Sequence, residues 1–366
     1  MRRRDSTIVS AQSQAAETPT VGNSAAAVPA TTQRDAPARR PGLPAGLLGH
    51  RFSAMVGDEF GVLIVLAVLV VLVSAFHPEF LKQASLIGVL RQTSFLAVMA
   101  FGMVFLVTMR DFDLSIGGSF AFASLLAAKL INDSGWNPWS AAAVAVVAAA
   151  GLGAVNGVLA EALRVPVIIV TVGSLSMYRG LAQIVTDSQP IALQPKGSFF
   201  DDLGGEVLGV PVSVYVMAAA CLILTLVYRR TRFGAQVRAI GSNSQAAAFS
   251  GVRISRTRIA ALALLGTMVG IASMLNLAYF GSADPTLGNG YELFVIAAVI
   301  IGATPLSGGR GTVVGALIGV LILEVIQSGL VFFGVGAQWS TFVTGAVIIG
   351  AVTLDTVLRR RASSAA

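Results

Sequence analysis

The chain has 366 residues, of which 55% are hydrophobic and 12% are charged, and its mean hydropathy is +0.79. Soluble domains carry roughly a quarter charged residues, so the composition excludes a soluble globular protein and indicates an all-α polytopic membrane protein. The net charge is +7, but the basic residues cluster in the N-terminal segment, a central segment and Arg359–Arg361. Because this pattern is typical of membrane topology, we expect no nucleic acid partner. The lone Cys221 argues against an intramolecular disulfide and a cysteine metal site.

Three regions follow from composition along the chain. Residues 1–57 are rich in Ala, Pro, Thr, Ser and Arg and lack an apolar run long enough to cross a bilayer. We predict a disordered cytoplasmic tail there. Residues 58–358 form the predicted transmembrane domain, and residues 359–366 form a short cytoplasmic C-terminal tail.

About ten transmembrane helices are predicted, since about 20 apolar residues cross the hydrocarbon core. The candidate segments are 59–76, 86–108, 114–132, 138–162, 166–186, 207–228, 258–280, 290–304, 311–333 and 339–358. Eight or nine spans with a re-entrant segment are the alternative, because the eighth candidate is short. With the arginine-rich tail inside, none of the 22 arginines falls in a predicted outside segment. Both termini are then cytoplasmic.

The polar segment 229–257 separates two long hydrophobic blocks. It holds arginines and no acidic residue, so it belongs on the cytoplasmic face. Ser242–Ser244 are helix-cap candidates, Gln245–Phe249 form a short predicted helix, and Gly251 is a stop signal. A structured helix in a cytoplasmic loop indicates a docking element for a soluble partner. This favours an energised transporter whose motor is a separate chain.

The sequence has no motif for catalysis or nucleotide binding. No Gly-Lys dipeptide occurs, so the chain cannot carry a P-loop, which needs Gly-Lys-Ser/Thr. His-Glu-x-x-His and Gly-x-Ser-x-Gly are also absent. We therefore predict a non-catalytic subunit that binds no cofactor itself, with ATP and magnesium held by a partner ATPase.

Few polar residues lie deep in the predicted spans. Glu324 is central, and Gln327 shares its helix face at i+3. The two side chains could bind a polar solute or simply pair with each other. Glu161 and Glu292 are nearer to span ends, so we expect them to reach the membrane interface.

A second polar cluster surrounds Asp113. Asp113 and Ser115 are predicted to cap a helix that begins near Ile116, where a carboxylate is favourable. Gly117 and the glycine after it permit close packing or a kink. Local structure and a gating role at the inner mouth both remain open.

Four motifs occur in a characteristic order. They are Gly102-Met103 followed by Asp113–Gly117; Asn156-Gly157 followed by Val165–Gly173 and Arg179–Ala182; Thr231–Asn243 followed by Ala246-Ala247 and Ser250–Val252; and Gly302–Gly311. Over roughly residues 60–358 the chain resembles the membrane permease subunits of bacterial ABC importers for ribose, xylose, galactose and related monosaccharides. Val167 and Ile168 stand where that family often has Pro and Phe, and Asp111 replaces a commonly small residue.

The resemblance implies an ABC importer permease fold, alternating access and a place in the bacterial cytoplasmic (inner) membrane, surrounded by lipid. The implied partners are two cytoplasmic ATPase subunits, an external sugar-binding protein and a second permease copy or homologue. The implied coupling residues are Phe233, Gly234, Arg238, Gly241, Asn243, Ala246, Ala247 and Gly251. The implied gating residues are Asp113, Leu114, Ser115, Gly117, Arg179 and Gly180, and the candidates for the substrate path are Asn156, Thr171, Glu324 and Gln327.

Other interpretations stay open at this point. Related permeases for nucleosides, branched-chain amino acids and a furanosyl signalling molecule share the general architecture. A stand-alone secondary carrier would have acidic residues at mid-membrane and no docking loop. A scaffold or receptor would move no solute at all.

Overall fold

The fold is taken from a computed structural model that describes residues 47–194 and 197–336, and positions 339, 342, 343, 345, 346, 349, 350 and 353. From Leu48 onward the chain forms one compact unit. Of the predicted tails, residues 1–46 and 359–366 lie outside the described residues, and so does most of the predicted span 339–358. The first helix begins at Leu47, earlier than the predicted end of the N-terminal tail.

Helices dominate the described chain, as the composition predicts. In chain order they are α1 Leu47–Phe76, α2 Gln83–Thr108, α3 Ile116–Asn132, α4 Pro138–Leu163, α5 Val167–Thr186, α6 Ser198–Gly204, α7 Val212–Arg230, α8 Arg232–Ser242, α9 Ser244–Phe249, α10 Ile254–Phe280, α11 Tyr291–Ile301 and α12 Val313–Phe332. Six of these are long and apolar enough to cross a membrane, namely α2, α4, α5, α7, α10 and α12. Shorter apolar helices cover Phe60–Phe76, α3 and α11.

The helices meet at two ends of the unit. At one end, here called the junction end, the Gly309 N–H donates to the Thr108 carbonyl over 2.8 Å. At the opposite end, strand β1 (Ile191–Ala192) pairs antiparallel with strand β4 (Ser282–Ala283). The strands β2 (Glu206–Val207) and β3 (Val210–Pro211) form a separate hairpin. Helix α2 therefore runs toward the junction end, whereas α10 runs away from it.

Helices α2 and α10 form the centre of the fold. In the most apolar 18-residue stretch of each helix, 83% of α2 and 67% of α10 is buried, compared with 22% of α7. Small residues permit the closest packing: an added Cβ at Gly266 would overlap the Ala149 carbonyl of α4, and Gly153 of α4 is equally close to the Leu262 carbonyl of α10. Gly153 and Gly157 in α4, and Gly266 and Gly270 in α10, are each four residues apart. This spacing of small residues therefore serves helix packing, which drives association in lipid.

An inverted repeat relates the two halves of the chain. Helix α10 starts 171 residues after α2 (254 minus 83). Five pairs of identical or similar residues are separated by the same 171 positions. They are Asp113 and Asp284, Ser115 and Thr286, Ile116 and Leu287, Gly117 and Gly288, and Phe120 and Tyr291. Since α2 and α10 run in opposite directions, the halves are related by inversion, as in many transporters.

The repeat extends to side-chain geometry. Asp113 Oδ1 accepts from the Ser115 N–H and hydroxyl over 2.7 and 2.6 Å. Asp284 Oδ1 accepts from the same two groups of Thr286, both over 2.6 Å. Two polar turns of the same construction thus precede α3 and α11.

Helix α11 is a half-span. Its 11 residues extend about 16 Å at 1.5 Å per residue, roughly half of a 30 Å hydrocarbon core. It follows an irregular segment, residues 284–290, whose Gly288 contacts Gly117 at the start of α3. The segment 284–301 therefore enters the unit from the β4 end as loop, and α11 occupies most of the predicted span 290–304. This matches the re-entrant alternative.

Candidate functional site

The predicted coupling segment folds into two helices. The short helix predicted after Asn243 is confirmed as α9, with Asn243 Oδ1 accepting from the Ala246 N–H over 3.0 Å. Gly251 has φ +83° and ends it. Helix α8 was not predicted; Thr231 caps it by accepting from the Gly234 N–H over 3.2 Å.

Helix α8 is anchored to the transmembrane helices by aromatic and cationic contacts. Phe233 stacks on Phe105 of α2 with ring centroids 5.7 Å apart. Arg238 donates to the Tyr228 carbonyl, and its guanidinium lies 5.1 Å from the Tyr228 ring centroid. The Tyr228 hydroxyl in turn lies 3.2 Å from Thr108 Oγ1. Helix α8 is therefore in direct contact with both α2 and α7.

Three segments that are distant in sequence meet at the end of α8. An added Cβ at Gly241 would overlap the Thr108 carbonyl oxygen and lie 2.5 Å from the Gly309 nitrogen. The Arg110 side chain adds a weak contact to the Ser242 carbonyl, at 3.4 Å. The coupling segment, the end of α2 and the glycine-rich turn thus form one contact, here called the junction, made by Thr108, Gly241 and Gly309.

Helix α9 presents its outer surface to solvent. Ala247 packs inward, whereas Ala246 is exposed and the Phe249 ring is 93% exposed. Behind it lies a groove of about 420 Å³ whose lining includes Phe233, Gln236, Gly251, Arg253 and Arg256. Phe249 belongs to the predicted short helix but not to the coupling residues that the resemblance implies. An aromatic ring this exposed, next to arginines, has the composition of a protein-binding surface.

The predicted gating residues Asp113 and Ser115 belong to a buried hydrogen-bond chain with Asn156 of α4. Ser115 Oγ donates to Asp113 and accepts from Asn156 Nδ2 over 2.8 Å. Asn156 Oδ1 accepts from the hydroxyls of Ser174 and Tyr178 of α5, over 2.6 and 2.8 Å. Ser174 and Tyr178 were not predicted, although both lie on the α5 face that contains Thr171.

The helix start is confirmed, but its cap differs from the prediction. Helix α3 begins at Ile116, and neither the Asp113 nor the Ser115 side chain accepts from an N–H inside the helix, although the Ser115 carbonyl accepts from the Ser119 N–H over 2.9 Å. Asp113 instead closes a turn onto Ser115, while Leu114 is half-buried. Thr171 Oγ1 lies 3.4 Å from the Phe112 carbonyl. Asn156 and Thr171 are thus fully buried and bonded to protein atoms, which makes them structural in this conformation.

The predicted gating residues Arg179 and Gly117 meet at the start of α3. Arg179 Nη2 of α5 lies 3.7 Å from Glu292 Oε2 of α11, and an added Cβ at Gly117 would come within 2.5 Å of that oxygen. Glu292 is 8% exposed, so the expectation that it reaches the interface is wrong. Gly180 is adjacent but has open space where a Cβ would be.

The remaining path candidates and Glu161 lie elsewhere. Glu324 of α12 is 5% exposed, and its Oε1 has no hydrogen-bond partner among the described residues. No hydrogen bond joins it to the half-buried Gln327 within the described chain, so of the two open alternatives for these side chains, pairing with each other is not observed. Glu161 lies at the end of α4 as expected, where Arg258 contacts it and also Asp111, at 2.7 Å.

Replacing Asn156 with leucine should destabilise the fold. The change keeps the branched shape of the side chain but leaves the polar groups of Ser115, Ser174 and Tyr178 without their shared partner, which costs about 1–3 kcal/mol for buried groups. We expect a lower thermal unfolding midpoint in detergent. The control is Ser140→Ala, since Ser140 is an exposed residue of the same helix. Equal midpoints for the two variants would contradict the role given to Asn156.

The comparisons with known proteins agree with this architecture. Residues 85–352 match the family model described as branched-chain amino acid transport system / permease component. The chain is 37% identical to the ribose import permease protein of Bacillus subtilis (strain 168), over 81% of this chain and 92% of that protein. It is 36% identical to the ribose import permease protein of Escherichia coli (strain K12), over 80% and 92%.

A more distant relative is the D-allose transport system permease protein of Escherichia coli (strain K12), which is 30% identical over 84% of this chain and 94% of that protein. No solved structure matches the chain significantly. The family match covers nearly all of α2, the helices α3 to α12, the junction and the α9 surface described above, but not α1. The chain therefore belongs to this family of membrane permeases, the transmembrane subunits of bacterial ABC importers that its motifs resemble.

Proposed function

We propose that the chain translocates a monosaccharide of the ribose or xylose type into the cell as half of an ATP-driven importer that works by alternating access. The observation that carries this proposal is the junction. It connects the exposed surface of α9 through α8 to α2, and α2 leads directly into the turn and helix of the first half-repeat. A motion imposed on α9 therefore reaches the centre of the membrane domain.

The motor is a separate chain in this proposal. The sequence has no Gly-Lys dipeptide, so two partner ATPases supply the sites for ATP and magnesium, and this chain is not catalytic and holds no cofactor. The ATPases dock on Phe249 and the neighbouring arginines, which places the junction end and both termini in the cytoplasm. A second permease copy or homologue completes the pair, and an external binding protein delivers the sugar at the β1–β4 end. The function is then an equilibrium between two states that ATP and loaded binding protein bias.

The names of the relatives support the cargo class. The named sugars are ribose, D-allose and, for a 30% identical permease of Escherichia coli (strain K12), L-arabinose. All three are uncharged polyols. A nucleoside, a branched-chain amino acid or a furanosyl signalling molecule is the alternative cargo. A stand-alone carrier is the second candidate function, favoured by one observation: the buried, unpartnered Oε1 of Glu324 has the chemistry of an ion-coupling group.

Uptake measurements test the proposal. The chain is co-expressed with the ATPase and binding protein encoded beside it, and uptake of radiolabelled D-ribose, D-xylose and L-leucine into inside-negative vesicles is measured with and without internal ATP. We expect ATP-dependent uptake of a pentose. Uptake of leucine alone would change the cargo, and pentose uptake without ATP would support the stand-alone carrier.

A further inference from the structure

Helix α5 exposes two different stripes to its surroundings. Ser176, Gly180 and Gln183 follow the spacing i, i+4, i+7 and form one stripe, here called the polar stripe, on the exposed side of the helix. Met177, Leu181 and Ile184 have the same spacing one residue later, and all three are exposed. The second stripe suits lipid, whereas a hydroxyl and an amide do not. The polar stripe therefore faces water or a polar ligand within the membrane.

The ion pair beside this stripe is incompletely satisfied. Arg179 Nε and Nη2 and Glu292 Oε2 are buried and have no hydrogen-bond partner within the described chain. Their 3.7 Å separation is too long for a hydrogen bond. Leaving buried charged groups without hydrogen bonds is costly, and such groups concentrate at functional sites.

The position of this pair is central. Gly117, which touches Glu292, also contacts Gly288, its equivalent in the inverted repeat. The next equivalent pair, Phe120 and Tyr291, is also in contact, with ring centroids 5.4 Å apart. Equivalent residues touch each other only at the axis that relates the two halves. The unsatisfied charges therefore lie beside this axis, where transporters with inverted repeats hold their substrates.

A neutral polyol matches this set of groups. Each sugar hydroxyl both donates and accepts, so one molecule can donate to the carboxylate of Glu292 and accept from the guanidinium of Arg179. The paired charges cancel, which favours an uncharged ligand over an anion or a cation. On the α3 side the Gly117 backbone packs directly against both groups, since a Cβ added there would lie 2.5 Å from Glu292 Oε2 and 3.2 Å from Arg179 Nη2.

We propose that the polar stripe of α5 lines the translocation path and that Arg179 and Glu292 bind the hydroxyl groups of a monosaccharide at mid-membrane. The proposal rests on the proposed function for the class of ligand. It replaces Asn156 and Thr171 as path residues with Ser176, Gln183 and Glu292.

Transport kinetics provide the first test. Glu292→Gln and Arg179→Gln should each lower the rate of D-ribose uptake at saturating loaded binding protein by about 10- to 100-fold, the value of a hydrogen bond to a charged group. The control is Glu206→Gln. Glu206 Oε1 lies 2.6 Å from Arg91 Nη2 in an ion pair that is distant from the axis, so removing its charge should leave the uptake rate nearly unchanged. If the pair is only structural, the reversed double variant Arg179→Glu/Glu292→Arg restores transport. That result would overturn the proposal.

Cysteine labelling provides a test that does not depend on transport. In a Cys221→Ala background, Ser176→Cys and Gln183→Cys should react with a charged, membrane-impermeant methanethiosulfonate at least about 10-fold faster than Met177→Cys and Ile184→Cys, since the reactive thiolate forms in water. Adding D-ribose with binding protein and ATP should slow the reaction. Equal reactivity of the two stripes would overturn the path assignment. If the stripes differ and wild-type chain moves no pentose, the path stands and the proposed cargo fails.

Discussion

Replacing Gly241 with alanine is expected to abolish sugar-stimulated ATP hydrolysis and uptake. The new methyl group would overlap the Thr108 carbonyl oxygen and lie 2.5 Å from the Gly309 nitrogen. Both are backbone atoms joined by a 2.8 Å hydrogen bond, so neither can move without opening the junction. Overpacking of this kind costs about 1–3 kcal/mol or more, which separates α8 from α2.

The measurement is ATP hydrolysis by the reconstituted complex with and without loaded binding protein. The matched control is Gly88→Ala, because no atom lies within 4 Å of the Cβ added there. We expect the control to behave as wild type and Gly241→Ala to lose the stimulation by sugar. A Gly241→Ala variant with full stimulation would show that the junction does not transmit the motion.

Replacing Phe249 with aspartate is expected to release the ATPase while the membrane domain stays folded. The ring is 93% exposed and thus contributes little packing within the chain. Exposed aromatic residues at the centre of an interface commonly contribute 2 kcal/mol or more, equivalent to about a 30-fold loss of affinity, and a carboxylate adds a buried charge to the interface.

Affinity of the purified ATPase for the permease in nanodiscs measures this effect. Leu208→Asp is the control: its side chain is 94% exposed but lies in the β2–β3 turn, at the end opposite the junction. We expect only Phe249→Asp to lose binding. Equal binding by both variants would move the docking surface away from α9.

Local signals in the sequence were sufficient for α9 and for the start of α3. Asn243 caps α9 as its side chain predicts, and Asp113 and Ser115 do precede the first residue of α3. Helix α8 was not predicted, because arginines and glycines interrupt its apolar pattern; the signal that could have found it is Phe233, Val237 and Ile240 at i, i+4 and i+7. Its stability comes from contacts with Phe105 and Tyr228, which no local pattern contains.

The central site depends on contacts between distant segments. Glu292 looks like an interface residue when each apolar segment is treated as a full span, and it becomes an interior residue because α11 is a half-span. The signal for this geometry is present in the sequence as the 171-residue offset between Asp113 and Asp284 (284 minus 113). Five matched positions are too few to stand out without the structure, where Gly117 and Gly288 touch.

Gentle affinity purification of the tagged chain, followed by identification of the proteins that accompany it, tests whether the motor is a separate chain. We expect an ATPase carrying Gly-Lys-Ser/Thr, present with wild type and with Leu208→Asp and absent with Phe249→Asp. A chain that purifies without a partner and still moves D-ribose into vesicles without ATP would contradict this expectation. Glu324, whose buried Oε1 has no hydrogen-bond partner among the residues that the structure describes, would then be the first residue to replace.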